Sequence, residues 1–158
     1  DYIQYLRQTG IDVVFVIDAT GSMVWVHNRV RARIETLSQY VRNLVPLARF
    51  GVIAYRDYQD PEFVIRVSQP SFDIVKARAF MSQLDALGGG DVPEAVTEAL
   101  RQAENTINWR AGAQRVLIVI GDAPPHRYEA DEALTIADRM KRRGARLSLV
   151  DSLSLIHI

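Results

Sequence analysis

Three short stretches set oxygen-bearing side chains among glycines: Asp18-Ala19-Thr20-Gly21-Ser22, Gly88-Gly89-Gly90-Asp91 and Gly121-Asp122-Ala123-Pro124-Pro125-His126. They offer the carboxylates Asp18, Asp91 and Asp122 and the hydroxyls of Thr20 and Ser22, and the chain has no cysteine to add a thiolate. Oxygen donors of this kind suit a hard divalent cation, Mg2+ foremost, with Mn2+ or Ca2+ as alternatives. The alternate spacing of Asp18, Thr20 and Ser22 lets one turn present all three to a single point, and glycine lets the backbone bend tightly there. Plain structural readings stand beside this one. Asp18 can close a strand and Ser22 can cap a helix. Asp91-Val92-Pro93-Glu94 fits a helix start, with Asp91 as N-cap, proline in the first turn and Glu94 at the third helical position; one residue can also both cap and coordinate.

These stretches meet only if they end neighbouring strands. Val13–Ile17 and Val116–Ile120 are continuous apolar runs, the mark of strands buried on both faces. Val30, Ile34, Leu37, Val41 and Leu44 step by four, three, four and three, which predicts one apolar face of a long helix from Val26 to Val45, ended by Pro46. Phe50–Tyr55 and Phe63–Val67 read as strands. Their link, Arg56–Glu62, is too short for a parallel crossover and predicts an antiparallel hairpin. One helix is expected from Ile74, with Ala77, Phe80, Leu84 and Leu87 inward. Another is expected from Val92, with Val96, Leu100, Ala103 and Ile107 inward. A third runs over Ala130–Arg143 and stops at Gly144. Arg146–Val150 begins a last strand.

Strands alternating with helices make this an α/β chain. The expected fold is a Rossmann-like three-layer sandwich: a mostly parallel central sheet with one antiparallel hairpin strand, and helices on both faces. Ligands of such sheets bind beyond the carboxyl ends of the strands, where the three stretches fall. More sheet is expected after the last strand, so residues 1–152 read as a C-terminally truncated domain. Residues 153–158, LSLIHI, resemble the translation of a sequencing adapter and read as a non-native tail rather than a final strand.

D-x-T-x-S after a buried strand resembles the D-x-S-x-S signature of the von Willebrand factor type A (VWA) domain, the first part of that family's metal-ion-dependent adhesion site. The glycine-rich stretch and the later strand-end Asp122 match its second and third parts. The likeness runs over about Ile11 to Val150. It is nearest the bacterial and alpha-kinase-associated branches, through DATGSM, YRD, GGGD-x-PEA and GDAPPH. The resemblance implies that Asp18, Thr20 and Ser22 are first-loop ligands and that Asp122 is a third-loop acid acting through water. Thr20 replaces the usual serine and keeps the hydroxyl. At the second-loop position the family usually has threonine, and this chain has Asp91. The resemblance further implies a protein partner that offers an acidic group to the ion, and a lean towards a secreted or cell-surface setting.

The expected function is therefore a non-enzymatic, metal-dependent protein-binding module; no nucleophile–base pair is evident. A Mg2+-dependent phosphoryl-transfer enzyme built on Asp18 is the alternative. Such enzymes commonly carry a second aspartate two residues on, where Thr20 stands. A metal-free scaffold beside a kinase or an ATPase is a third reading. The 158 residues carry 19 basic and 19 acidic side chains, which argues against a broad electrostatic grip on nucleic acid. No apolar run approaches the ~20 residues of a membrane span, so no membrane insertion is expected within this sequence. Some residues keep two readings. Tyr55-Arg56-Asp57 either lines the site or begins the hairpin link. His126 either overhangs the site or is a polar loop residue. Trp25 and His27 either face a partner or pack. The Arg139, Lys141, Arg142 and Arg143 cluster complements a helix dipole.

Overall fold

Strand β1 (Ile11–Asp18) is buried along its whole length, which only a central strand covered on both faces can be. The computed structural model describes residues 1–84, 95–122 and 125–151. The other strands are β2 (Ala48–Tyr55), β3 (Ile65–Ser71), β4 (Gln114–Gly121) and β5 (Ala145–Asp151). They lie in the order β3-β2-β1-β4-β5. β1 pairs in parallel with β2 and β4, and β4 with β5, while β3 runs antiparallel to β2 as the short link requires. The switch in strand order falls at β1 and β4, so Asp18 and Asp122 reach the same edge.

The helices are α1 (Tyr2–Thr9), α2 (His27–Leu44), α3 (Ile74–Ser82), α4 (Val96–Asn105) and α5 (Ala130–Arg142). Leu6 of α1, Val30 and Ile34 of α2, and Ala77 and Met81 of α3 cover one face with Val13, Phe15 and Ile17 of β1. α4 and α5 cover the other, where Val14 and Val16 meet Leu100, Ala103, Ile136 and Met140. This is the expected sandwich. α1 was not anticipated: its eight residues carry one fully buried side chain, Leu6, too weak a stripe to stand out.

Expectations for three elements need correction. A 3-10 turn, Gly21–Trp25, precedes α2, which therefore begins at His27 rather than Val26. Its inner face is His27, Val30, Ile34 and Ser38, whereas Leu37 and Leu44 are exposed. Val30, Ile34 and Val41 of the expected stripe keep to the core, while the small Ser38 faces inward in place of Leu37. β4 is not fully buried either: Leu117, Val119 and Ile120 are, but Val116 and Ile118 are half-buried, on the face shared with α2. A shallow recess lies there, lined by Phe15, Leu37, Ile118 and Val150. β3 begins later than expected and runs through Pro70. Proline is tolerated on an edge strand, and the register of β2 against β3 shifts between Phe50 and Val52 to admit it. Gly51 is what permits this, because a Cβ there would lie 2.9 Å from the Pro70 nitrogen. Expected inward residue Leu87 lies outside the described residues, as do 153–158.

The far end of β1 is closed by a buried ion cluster. Asp12 is fully buried. Arg49 grips it with two bonds, Nε to Oδ1 at 2.9 Å and Nη2 to Oδ2 at 2.7 Å. Arg110 adds a backbone N–H to Oδ2 at 2.8 Å and Nε to Oδ1 at 2.9 Å. Burial alone would raise the Asp12 pKa, but the bonds from Arg49 and Arg110 outweigh it and hold the carboxyl below its ordinary value. The same guanidiniums reach the carbonyls of Ile11, Leu47 and Asn108, tying β1 to the entry of β2 and the exit of α4.

Replacing Asp12 by Ala leaves two guanidiniums without their counter-ion. We expect a loss of about 3 kcal/mol in urea denaturation, the low end for a broken buried pair because Arg110 is partly exposed. The folded pKa lies below the unfolded one. This stabilisation is therefore complete above pH ~4 and drains away as pH falls through the folded value. Asp12→Asn should flatten the acid limb of the stability–pH curve; an unchanged acid limb would rule this role out.

Candidate metal centre

Two strands and one 3-10 turn bring four of the five expected side chains together. Asp18 ends β1, Thr20 and Ser22 sit on the turn that follows, and Asp122 follows β4. Asp18 and Thr20 are buried and Ser22 is exposed, so the group opens at the rim. Thr20 donates twice to Asp18 Oδ1, from its N–H at 2.9 Å and its hydroxyl at 2.5 Å. Thr20 Oγ1 lies 3.1 Å from Ser22 Oγ. Ser22 Oγ in turn lies 3.1 Å from Asp122 Oδ1 and donates to it. Asp91 lies outside the described residues.

Hydrogens are short in this chain of oxygens. It contains three close oxygen–oxygen contacts, Asp18–Thr20, Thr20–Ser22 and Ser22–Asp122. Each hydroxyl carries one hydrogen, and an ionised carboxylate carries none. With both acids ionised, one contact must set lone pair against lone pair. A proton on a carboxyl relieves that, and so does a cation seated against the chain.

Asp18 shows the same deficit. Its Oδ2 is buried and has no hydrogen-bond partner among the described residues. Burial pushes the carboxyl up to about 6; the Thr20 bonds pull it down, and the charge of Asp122 pushes it up again. Gly121 leaves room beside it: a Cβ at that position would lie 3.6 Å from Asp18 Oδ2 and would collide with the Tyr55 hydroxyl at 2.5 Å. Among the described residues no three His, Cys, Asp or Glu side chains converge. The donor set is two carboxylates and two hydroxyls, and all-oxygen donors around a buried, unneutralised carboxylate oxygen fit a hard divalent cation.

The residues with two readings now have positions. Trp25 is 88% exposed, three residues past Ser22, so it does not pack; His27 is the buried one. The His126 ring lies tilted against those of Tyr58 and Tyr128, and its Nε2 lies 3.5 Å from Asp57 Oδ1. Tyr58 donates its hydroxyl to Glu129 at 2.8 Å. Arg139 and Arg143 pair with Glu104, fastening α5 to α4. Sequence reasoning overlooked Gly121 as a spacer beside Asp18. It also left Arg56 undecided, although the structure buries this guanidinium almost completely at the rim. A charged residue directly after an apolar strand was the available signal.

The sequence matches the von Willebrand factor type A domain over residues 12–151. It is 30% identical over 122 residues to the alpha-protein kinase vwkA of Dictyostelium discoideum, a match covering 75% of this chain and 19% of that protein. The chain spans less than a fifth of the curated relatives it matches. Among solved structures, the VWA domain of SpRpn10 superposes with a TM-score of 0.71 at 14% identity, covering 91% of this chain and 78% of that one. The pilus adhesin SpaC of Lactobacillus rhamnosus GG does so with a TM-score of 0.60 at 19% identity, covering 73% of this chain and 16% of that one. The match runs from the first strand of the sheet to the last and takes in the oxygen-lined rim, and the chain therefore belongs to the von Willebrand factor type A domain family.

Proposed function

We propose that this domain is a non-enzymatic, metal-ion-dependent protein-binding module. Asp18, Thr20, Ser22, Asp91 and Asp122 would hold Mg2+, with Mn2+ or Ca2+ as alternative occupants. The observations that carry this reading are the hydrogen-deficient chain of oxygens and the buried Oδ2 of Asp18, which has no hydrogen-bond partner among the described residues. Asp18 and Asp122 contribute charge, and Thr20 and Ser22 contribute neutral oxygens whose hydrogens are turned towards the carboxylates. Bound there, the cation would supply an electrophilic point for an oxygen of the partner. VWA domains are generally interaction modules, and the fold is shared with a pilus adhesin. Exposed Trp25, beside Ser22, gives the rim an apolar contact for a protein surface. No described helix is long and apolar enough to cross a membrane.

Asp91 decides what the partner offers. If it coordinates, three carboxylates surround one divalent ion and the centre is net negative before a partner arrives. At an effective dielectric near ~20, two like charges ~4 Å apart repel by about 4 kcal/mol. A centre of that kind retains its metal tightly and favours a neutral partner group. If Asp91 only caps the following helix, an acidic group from the partner is favoured instead.

Two measurements test this. In Asp18→Asn, the stabilisation by Mg2+ should vanish. At a metal concentration of 100 times the dissociation constant, the wild-type gain is about 2.7 kcal/mol. In chelator the variant should stay folded, because an unpaired buried charge is exchanged for a neutral amide. Undiminished Mg2+ affinity of the variant in calorimetry would refute the assignment. The second variant is Asp91→Thr. Coordination predicts weaker Mg2+ binding, whereas equal affinity with a lower melting temperature identifies a helix cap.

A further inference from the structure

Arg56 directly follows β2 and is 2% exposed. Its Nε donates to the carbonyl of Ala19 at 3.1 Å. Ala19 lies between Asp18 and Thr20, and its own N–H donates to the Tyr55 carbonyl at 2.9 Å. The guanidinium is fixed from behind: Nη1 meets Glu62 Oε2 at 2.8 Å and Asp60 Oδ1 at 3.3 Å, and the plane lies over the Phe63 ring at 4.3 Å. Asp60 is itself set by backbone N–H groups of Glu62 and Phe63.

The Ala19 carbonyl and the Thr20 N–H belong to one planar peptide and point in opposite directions. Pinning the carbonyl therefore aims the N–H, and that N–H is one of the two donors that orient Asp18 Oδ1. Fixing Oδ1 also sets the place of Oδ2, which has no partner among the described residues. The same stretch also reaches the start of α4 and the chain that follows β4. The Arg56 carbonyl accepts from Ala95 N–H at 3.2 Å, just before α4 and beyond the glycine-rich stretch. Asp57 Oδ1 lies 3.5 Å from His126 Nε2, four residues past Asp122.

We propose that Arg56 is the positioning residue of the metal centre, acting through the Ala19–Thr20 peptide on the Asp18 carboxylate. This role rests on the metal-binding reading above. Lysine keeps the charge but lacks the planar fork that holds Ala19 and Glu62 at once. A merely structural arginine would lower the melting temperature in chelator and leave the affinity of the folded protein for metal unchanged. A positioning arginine changes that affinity itself.

The test is calorimetric titration of Mg2+ into wild type and Arg56→Lys, with melting temperatures of both in chelator. We expect Mg2+ affinity to fall by about tenfold, as for other groups that orient metal ligands. A folded Arg56→Lys whose Mg2+ dissociation constant stays within about twofold of wild type overturns the proposal, since orienting groups shift affinity well beyond that. If wild type itself binds no Mg2+, the metal reading fails and this role fails with it, an outcome distinct from the first. Should Arg56→Lys not fold, Glu62→Gln takes its place. Glu62 is half exposed, so this change keeps the fold and loosens the guanidinium from behind. A several-fold loss of Mg2+ affinity supports the proposal, and wild-type affinity overturns it.

Discussion

The central strand β1 carries a carboxylate near its start and another at its end, and both Asp12 and Asp18 are fully buried. A buried charge must be compensated or neutralised. At Asp12 the chain provides the compensation itself, through the guanidiniums of Arg49 and Arg110. At Asp18 the described residues provide two hydrogen bonds to one oxygen and nothing to the other. The two ends of one strand therefore show opposite electrostatics in the same degree of burial. One end is a finished structural clamp. The other keeps a carboxylate oxygen without a partner among the described residues, and the parallel pairing of β1 with β4 places Asp122 beside it rather than a cation.

The surrounding elements follow from that arrangement. Parallel strands deliver their exits to one edge, so the turn after β1 and the residues after β4 converge without long loops. The single antiparallel strand, β3, is reached through a link that folds back under the rim, where Asp60, Glu62 and Phe63 brace Arg56. The hairpin thus does more than extend the sheet. It supports the turn after β1 through the bond from Arg56 Nε to the Ala19 carbonyl.

The alternation of strands and helices, the hairpin and the convergence of Asp18, Thr20, Ser22 and Asp122 were all legible in the sequence. They depend on apolar runs, a link length and strand-end positions, which are local quantities. The facing of α2 was not legible. Leu37 and Ser38 are adjacent, and hydrophobicity alone favours the leucine, but the packing of the helix against β1 and β2 turns the serine inward. The end of β3 was placed too early, at Val67, because nothing in the sequence shows Gly51 opposite Pro70 to let the strand run on to Ser71. The role of Arg56 could not be read either, since its partners Ala19 and Glu62 lie on opposite sides of it in the chain and meet only in three dimensions.

The chain has two tryptophans, and the fold sends them to unlike places. Trp25 stands in solvent on the turn that carries Ser22. Trp109 is part-buried against α4, where its indole N–H donates to the Ala103 carbonyl at 2.8 Å, near the Asp12 clamp. Their fluorescence is accordingly separable. Trp25 emits as a hydrated indole open to a dissolved quencher such as iodide, and Trp109 emits from a more apolar, shielded setting. Each end of β1 thus carries its own intrinsic optical reporter, one for events at the rim and one for the integrity of the opposite end of the sheet.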